Sequence, residues 1–224
     1  DAFVACDLNA PLALPETVNA VMNDGSKQQC PVTWQLTAEQ DALMHSAGVA
    51  QYTILGQADG MEAKCRVSMM EFNYLTDYSF EDGGQHWVIT DLKKADELYV
   101  EDKKTDSLTG SRHMHFWSAA KDSVEFTVEQ TVEDLPAGKY SFTVSIMGGD
   151  GGETEIYSYV TINGQIIAQA PMKITSYGNW DTAVIPAFEH SAGDNVTVGV
   201  YVKCQGAGNG AWGKIDDAML CSVK

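Results

Sequence analysis

The sequence predicts an all-β protein built as two β-sandwiches, on three observations. Apolar and polar residues alternate at a period of two in run after run, most regularly at Val196, Val198, Val200 and Val202 and at Tyr140, Phe142, Val144 and Ile146. Turn-forming pairs such as Asp59-Gly60, Asn163-Gly164 and Gly193-Asp194 separate the runs. Sustained helical periodicity is nearly absent. A length of 224 residues suits one or two domains, and the pattern divides it at residues 1–71 and 72–224. Hydrophobic content of 44% against 20% charged residues supports a packed core and excludes disorder.

Charge narrows the partners. Thirty-one acidic and fourteen basic residues give a formal charge of −17, and the basic residues are scattered. Such a field repels nucleic acid and anionic lipid, while a neutral polymer is indifferent to it. No apolar run approaches the roughly 20 residues of a membrane span, and Asp1 opens the chain without the basic and apolar regions of a signal peptide. Five cysteines (Cys6, Cys30, Cys65, Cys204, Cys221) contain no Cys-x-x-Cys pair. They imply either buried free thiols or a single disulfide, for which Cys204 and Cys221 are the pair to check.

In the first domain, Leu14 and Pro15 precede the run Val18, Ala20 and Met22, and Asn23, Asp24 and Gly25 form a turn. Pro31 to Trp34 form the next strand, with Trp34 as anchor of a small core. Thr37 caps about one helical turn that Gly48 ends. Tyr52, Ile54 and Gly56, then Ala63, Cys65, Val67 and Met69, complete the strands. Leu14, Pro15 and Val18, the segment 23–26, Pro31 to Trp34, and the pattern Gly48, Ala50, Tyr52, Thr53, Ile54 and Gly56 resemble the bacterial Ig-like domain of group 4 over about residues 8–70. That resemblance implies an Ig-like sandwich acting as a spacer.

The second domain begins near Phe80-Glu81-Asp82-Gly83, with Trp87 as a core residue. Residues 91–111 read as a loop around one short strand at Leu98 to Val100. Further on, Met114 and Phe116 take one side of a strand and His113, His115 and Trp117 the other. A hairpin follows: a strand ending at Met147, a loop of Gly148, Gly149, Asp150, Gly151 and Gly152, and a returning strand. There Ile156, Val160 and Ile162 face inward and Tyr157 and Tyr159 outward. With about eight such strands the expected fold is a jelly-roll sandwich.

Phe72 to Val223 resembles the galactan-binding family 61 of carbohydrate-binding modules, on the segments 79–83, 115–118, 135–142, 147–150, Asn163-Gly164 and Ala211 to Asp217. The resemblance implies binding of β-1,4-galactan, commonly beside an endo-β-1,4-galactanase domain of glycoside hydrolase family 53 on the same polypeptide, in a secreted or cell-surface protein that is expected to be a monomer. A galactose ring packs its C–H patch on an aromatic face while fixed polar groups hold its hydroxyls. The candidate platforms are Trp117, Tyr157, Tyr159, Trp180 and Trp212, and the candidate polar contacts are Arg112, His115 and Asn209. Related jelly rolls hold a structural calcium between first and last strands, for which Glu81, Asp216 and Asp217 supply hard oxygens. His113 and His115 share a face but lack a third metal ligand. Catalysis is not expected: Asp216 and Asp217, adjacent on a strand, point to opposite faces, and Glu153 and Glu155 flank a mobile loop, so no carboxyl pair faces across a scissile bond. The alternative is a structural or adhesive module that binds another glycan or a protein.

Overall fold

The structure, a computed structural model, describes residues 1–22, 25–119, 124–208 and 210–223. The turn residues Asn23 and Asp24 therefore lie outside the described residues. The chain divides into two compact units, residues 1–72 and 73–223.

The first unit contains β1 (Ala2–Asp7), β2 (Thr17–Val21), β3 (Lys27–Pro31), β4 (Thr33–Trp34), α1 (Ala38–Ser46), β5 (Ala50–Ala58) and β6 (Met61–Met70). A four-stranded sheet runs β1-β6-β5-β4, and β2 with β3 forms a hairpin. Trp34 is half-buried and packs against apolar clusters on both sides, its indole N–H donating to the Pro15 carbonyl at 2.8 Å. The helix is longer than the one turn expected. Its capping box explains why: Thr37 accepts from the Gln40 backbone while the Gln40 side chain accepts from the Thr37 backbone.

The second unit contains, among the described residues, β7 (Val88–Asp91), β8 (Glu97–Asp102), β9 (Arg112–Trp117), β10 (Val124–Val132), β11 (Gly138–Gly149), β12 (Thr154–Ile162), β13 (Gln165–Pro171), β14 (Trp180–His190), β15 (Val196–Cys204) and β16 (Trp212–Ser222). They form two five-stranded sheets, β13-β12-β15-β10-β7 and β14-β11-β16-β9-β8. Alternation does the work that the sequence indicates: Phe142, Val144 and Ile146 from one sheet and Val198, Val200 and Val202 from the other line one core. Phe116 and Phe126 meet between the sheets with ring centroids 5.1 Å apart. Trp87 is buried, and Asn163 and Gly164 both take positive φ in the tight turn between β12 and β13.

One expectation changes and two gain detail. Residues 91–111 hold the expected short strand, extended to β8 (Glu97–Asp102) at the sheet edge, and a 3-10 turn at Lys104–Asp106. Gly148 and Gly149 belong to β11, because each lies under a neighbour that leaves no room for a side chain. Of the two states expected for the cysteines the thiol is found: Cys204 is sealed in the core and forms no disulfide with Cys221. Burial pushes the Cys204 thiol up to about 12.

Replacing Phe126 with Ala opens a cavity between the sheets. The expected loss is about 3–5 kcal/mol in a denaturant titration; a loss below about 1 kcal/mol contradicts the packing described.

Candidate functional site

The outward face of β14-β11-β16-β9-β8 collects side chains in rows, because aligned strands place paired residues on the same face. One row reads Trp180, Met147, Lys214, His115 and Tyr99. Two residues along, the next outward row reads Gly149, Trp212, Trp117 and Glu97. Trp117, Trp180 and Trp212 are all half-buried. The Trp212 indole lies on Gly149: a Cβ there would meet its Cζ2, Cε2 and Nε1 atoms at 3.0, 3.1 and 3.2 Å. In an edge-on approach the middle atom, Cε2, would be the farthest, so the ring rests on its face and turns the other face outward.

Beneath the tryptophans sits a buried charge cluster. The Lys214 ammonium, 5% exposed, lies 2.8 Å from His115 Nδ1, 3.2 Å from Glu101 and 3.6 Å from Asp106. An ammonium only donates, so His115 Nδ1 accepts and the proton of the neutral ring is on Nε2, which donates to Glu97 at 2.9 Å. By the same logic His113 donates from Nε2 to Glu101 at 2.9 Å and its Nδ1 accepts from the Ser107 hydroxyl. Burial lowers both histidines, and the Lys214 charge adds to that. Burial works to raise Glu101, but hydrogen bonds from His113 and Lys214 outweigh it and hold the carboxyl below its usual range. Asp106 is likewise held at about 2, burial being outweighed by Lys103, Thr105 and Lys214.

The third ligand that the histidine pair lacked is present: Glu101, His113 and His115 bring ligand atoms within 4.8 Å of one another. The cation there is the protein's own. Lys214 stands between His115 and Glu101 at hydrogen-bond distances, which leaves a metal ion no place beside it.

Two loops edge this face. Residues 103–111 cover the far end, and residues 172–179 approach from β13, where Tyr177 brings its hydroxyl within 3.0 Å of the Thr105 carbonyl and 3.2 Å of Asp106. The acidic residues expected to bind calcium hold the first loop. Glu81 accepts from the backbone N–H groups of Ser111 and Arg112, and Asp217 from the Thr109 hydroxyl. Asp216 is fully buried, and both oxygens accept backbone N–H groups, from Leu108 and Thr109 on one side and Asp217 on the other. Burial pushes it up to about 7. Oδ2 takes two of these N–H groups and Oδ1 only one.

The other candidates scatter. Arg112 occupies the opposite end of β9 from Trp117, roughly 17 Å along the strand, and pairs with Asp102 at 3.2 Å. Tyr157 and Tyr159 do point outward, but from the other sheet, and so share no surface with the tryptophans. Tyr159 is not an open platform. It is 5% exposed because its ring lies over Gly199 and its hydroxyl donates to Glu129 at 2.7 Å. Tyr157 stacks on Tyr201, with ring centroids 5.0 Å apart. Asn209 lies outside the described residues. The face also holds Tyr99, Glu97, Glu101 and Lys214, which the sequence reading passed over. Lys214 follows Trp212 by two strand positions, a spacing that already puts both on one face.

A family model described as the bacterial Ig-like domain (group 4) matches residues 4–61. The chain is similar to the solved structure of TmCBM61 in complex with beta-1,4-galactotriose, with a TM-score of 0.57 and 27% identity over 68% of this chain and 99% of that one. The enzymatically active domain of tailspike protein 4 from Bacteriophage CBA120 shares the fold alone, at a TM-score of 0.50 and 9% identity, over 69% of this chain and 22% of that one. No curated protein matches the sequence. Among the described residues no helix is long and apolar enough to cross a membrane.

Replacing Gly149 with Ala places a methyl against the Trp212 ring and tilts it. A changed tryptophan emission maximum is expected, with a stability loss of about 1–3 kcal/mol; unchanged emission and stability together mean that the ring does not lie on this glycine.

Proposed function

We propose that this chain, a bacterial Ig-like domain (group 4) joined to a β-sandwich that resembles carbohydrate-binding module family 61, binds β-1,4-galactan through the tryptophan face of its second unit and does not cleave it. The observation that carries this is Trp212 lying flat on Gly149 of β11, with Trp117 of β9 as its cross-strand neighbour on the other side. A flat indole is the surface on which the apolar C–H patch of a sugar packs, and neighbouring fixed polar groups suit its hydroxyls. Likeness at 27% identity to a module solved with beta-1,4-galactotriose supports galactan as the ligand. A glycosidase needs one carboxyl protonated and another ionised across an open bond. Glu101 and Asp106 are both held below the ordinary carboxylate range, with Lys214 at their side, which suits binding and not proton donation, and Asp216, the carboxyl that burial raises, is fully buried and out of a ligand's reach.

In this proposal the Ig-like unit is a spacer, the protein is secreted or surface-attached and monomeric, and the module tethers an endo-β-1,4-galactanase domain of the same polypeptide to its polymer. Tethering raises the effective concentration to about the millimolar range. A structural calcium belongs to the proposal too, with Glu81, Asp216 and Asp217 as the residues that would supply hard oxygens to it.

Affinity electrophoresis in galactan tests the binding. Wild type is retarded, and Trp212→Ala loses at least about tenfold in affinity, close to 1.4 kcal/mol; retardation in xylan or glucan but not galactan overturns the ligand assignment. For the ion, EDTA is expected to lower the Tm and added calcium to restore it, whereas an indifferent Tm removes calcium from the proposal.

A further inference from the structure

Glu97 is placed differently from the other carboxylates of this face. Glu101 and Asp106 are drawn under the surface by Lys214, but the Glu97 side chain is 43% exposed and is the direct cross-strand partner of Trp117, which in turn pairs with Trp212. It accepts from His115 Nε2 through Oε2 at 2.9 Å, and the Tyr99 hydroxyl on its own strand is a second donor to it. The bond from neutral His115 exists only in one tautomer, and the tautomer is imposed from below. Lys214 has donors alone, so Nδ1 is obliged to accept and Nε2 to carry the proton. Glu97 and Lys214 are thus the two ends of one chain of hydrogen bonds, Lys214 to His115 to Glu97, running from the buried cluster to the rim of the tryptophan pair.

Resting on the glycan-binding reading of this face, we propose that Glu97 is a direct acceptor for ligand hydroxyl groups beside the Trp117–Trp212 pair, and that Lys214 is the residue that positions it, acting through His115. A carboxylate beside an aromatic platform accepts from sugar hydroxyls with charge-assisted strength, provided its rotamer is held. Held this way, it does not have to be ordered when the ligand arrives, which preserves affinity.

The chain also has a direction in pH. His115 faces Lys214 from β16, Glu97, Glu101 and Tyr99 from β8, and His113 on its own strand. Protonating Nδ1 would set two cations at hydrogen-bond distance, so acid drives the Lys214 and His115 side chains apart and disturbs the geometry that seats Glu97, although Nε2–H still donates to it. Lys214 also keeps the imidazole from protonating until the pH is low, so removing its charge moves that event to higher pH.

Isothermal titration with β-1,4-galactotriose from pH 5 to pH 8, on the full chain, tests the assignment together with 15N spectra of the histidines. Glu97→Ala is expected to lose at least about tenfold in affinity at neutral pH. Lys214→Met is expected to weaken binding, to flatten the acid limb of the affinity profile, because no second cation then opposes the imidazolium, and to release His115 from the pure Nε2–H form. If Lys214→Met does not fold, wild-type spectra still decide the relay: a wild-type His115 protonated at Nδ1 overturns it. Wild-type affinity in Glu97→Ala, alongside lost binding in Trp212→Ala, overturns the role of Glu97 and leaves the platform standing. Binding that survives Trp212→Ala overturns the platform itself.

Discussion

The outward face of the second unit depends on a contact made on its inward side. The Phe116 ring fills the space above Gly213 that any larger residue's side chain would enter, with the Met147 carbonyl closing in from β11. Gly213 is paired with Gly148 on one side and Phe116 on the other, so this single packing arrangement fixes the register of three strands. Register in a sheet is all or nothing, because a slip of one residue sends every side chain to the opposite face. Were β16 to slip by one, Trp212 and Lys214 would enter the core together, and the platform and its polar support would vanish at once.

A second constraint is electrostatic. Burying Lys214 is costly, and pairing with Glu101 and Asp106 offsets that cost without turning it into a net gain; buried ion pairs are weak evidence for stability. What the cluster supplies is orientation. Each donor has one acceptor to satisfy, so the rings of His113 and His115 are held in defined tautomers, and the loop of residues 103–111 is tied down through Ser107 and Asp106. Rigid polar groups under a rigid aromatic surface suit a binding face, where ordering flexible side chains on ligand arrival would erode affinity.

Strand alternation, the core residues, the Asn163-Gly164 turn and the outward direction of Tyr157, Tyr159, Trp117 and the histidines were legible in the sequence, since each follows from neighbours within a few residues. The two outward faces were not told apart, because nothing local says which sheet a strand joins. Tyr157 and Tyr159 were therefore grouped with tryptophans that lie on the other sheet. Tyr159 also met a glycine on a partner strand, Gly199, that only pairing reveals. Lys214 looked like any scattered lysine until β8 and β9 brought Glu101 and His115 around it. The burial of Asp216 was hidden for a related reason: the backbone N–H groups of Leu108 and Thr109 reach it from more than a hundred residues away.

The unbridged cysteines carry a consequence for handling. No covalent cross-link among the five holds either unit together, and Cys204 lies where neither oxidant nor reductant reaches it readily. A reducing agent therefore has no bond to cut in either unit, and the fold rests on packing and strand pairing alone.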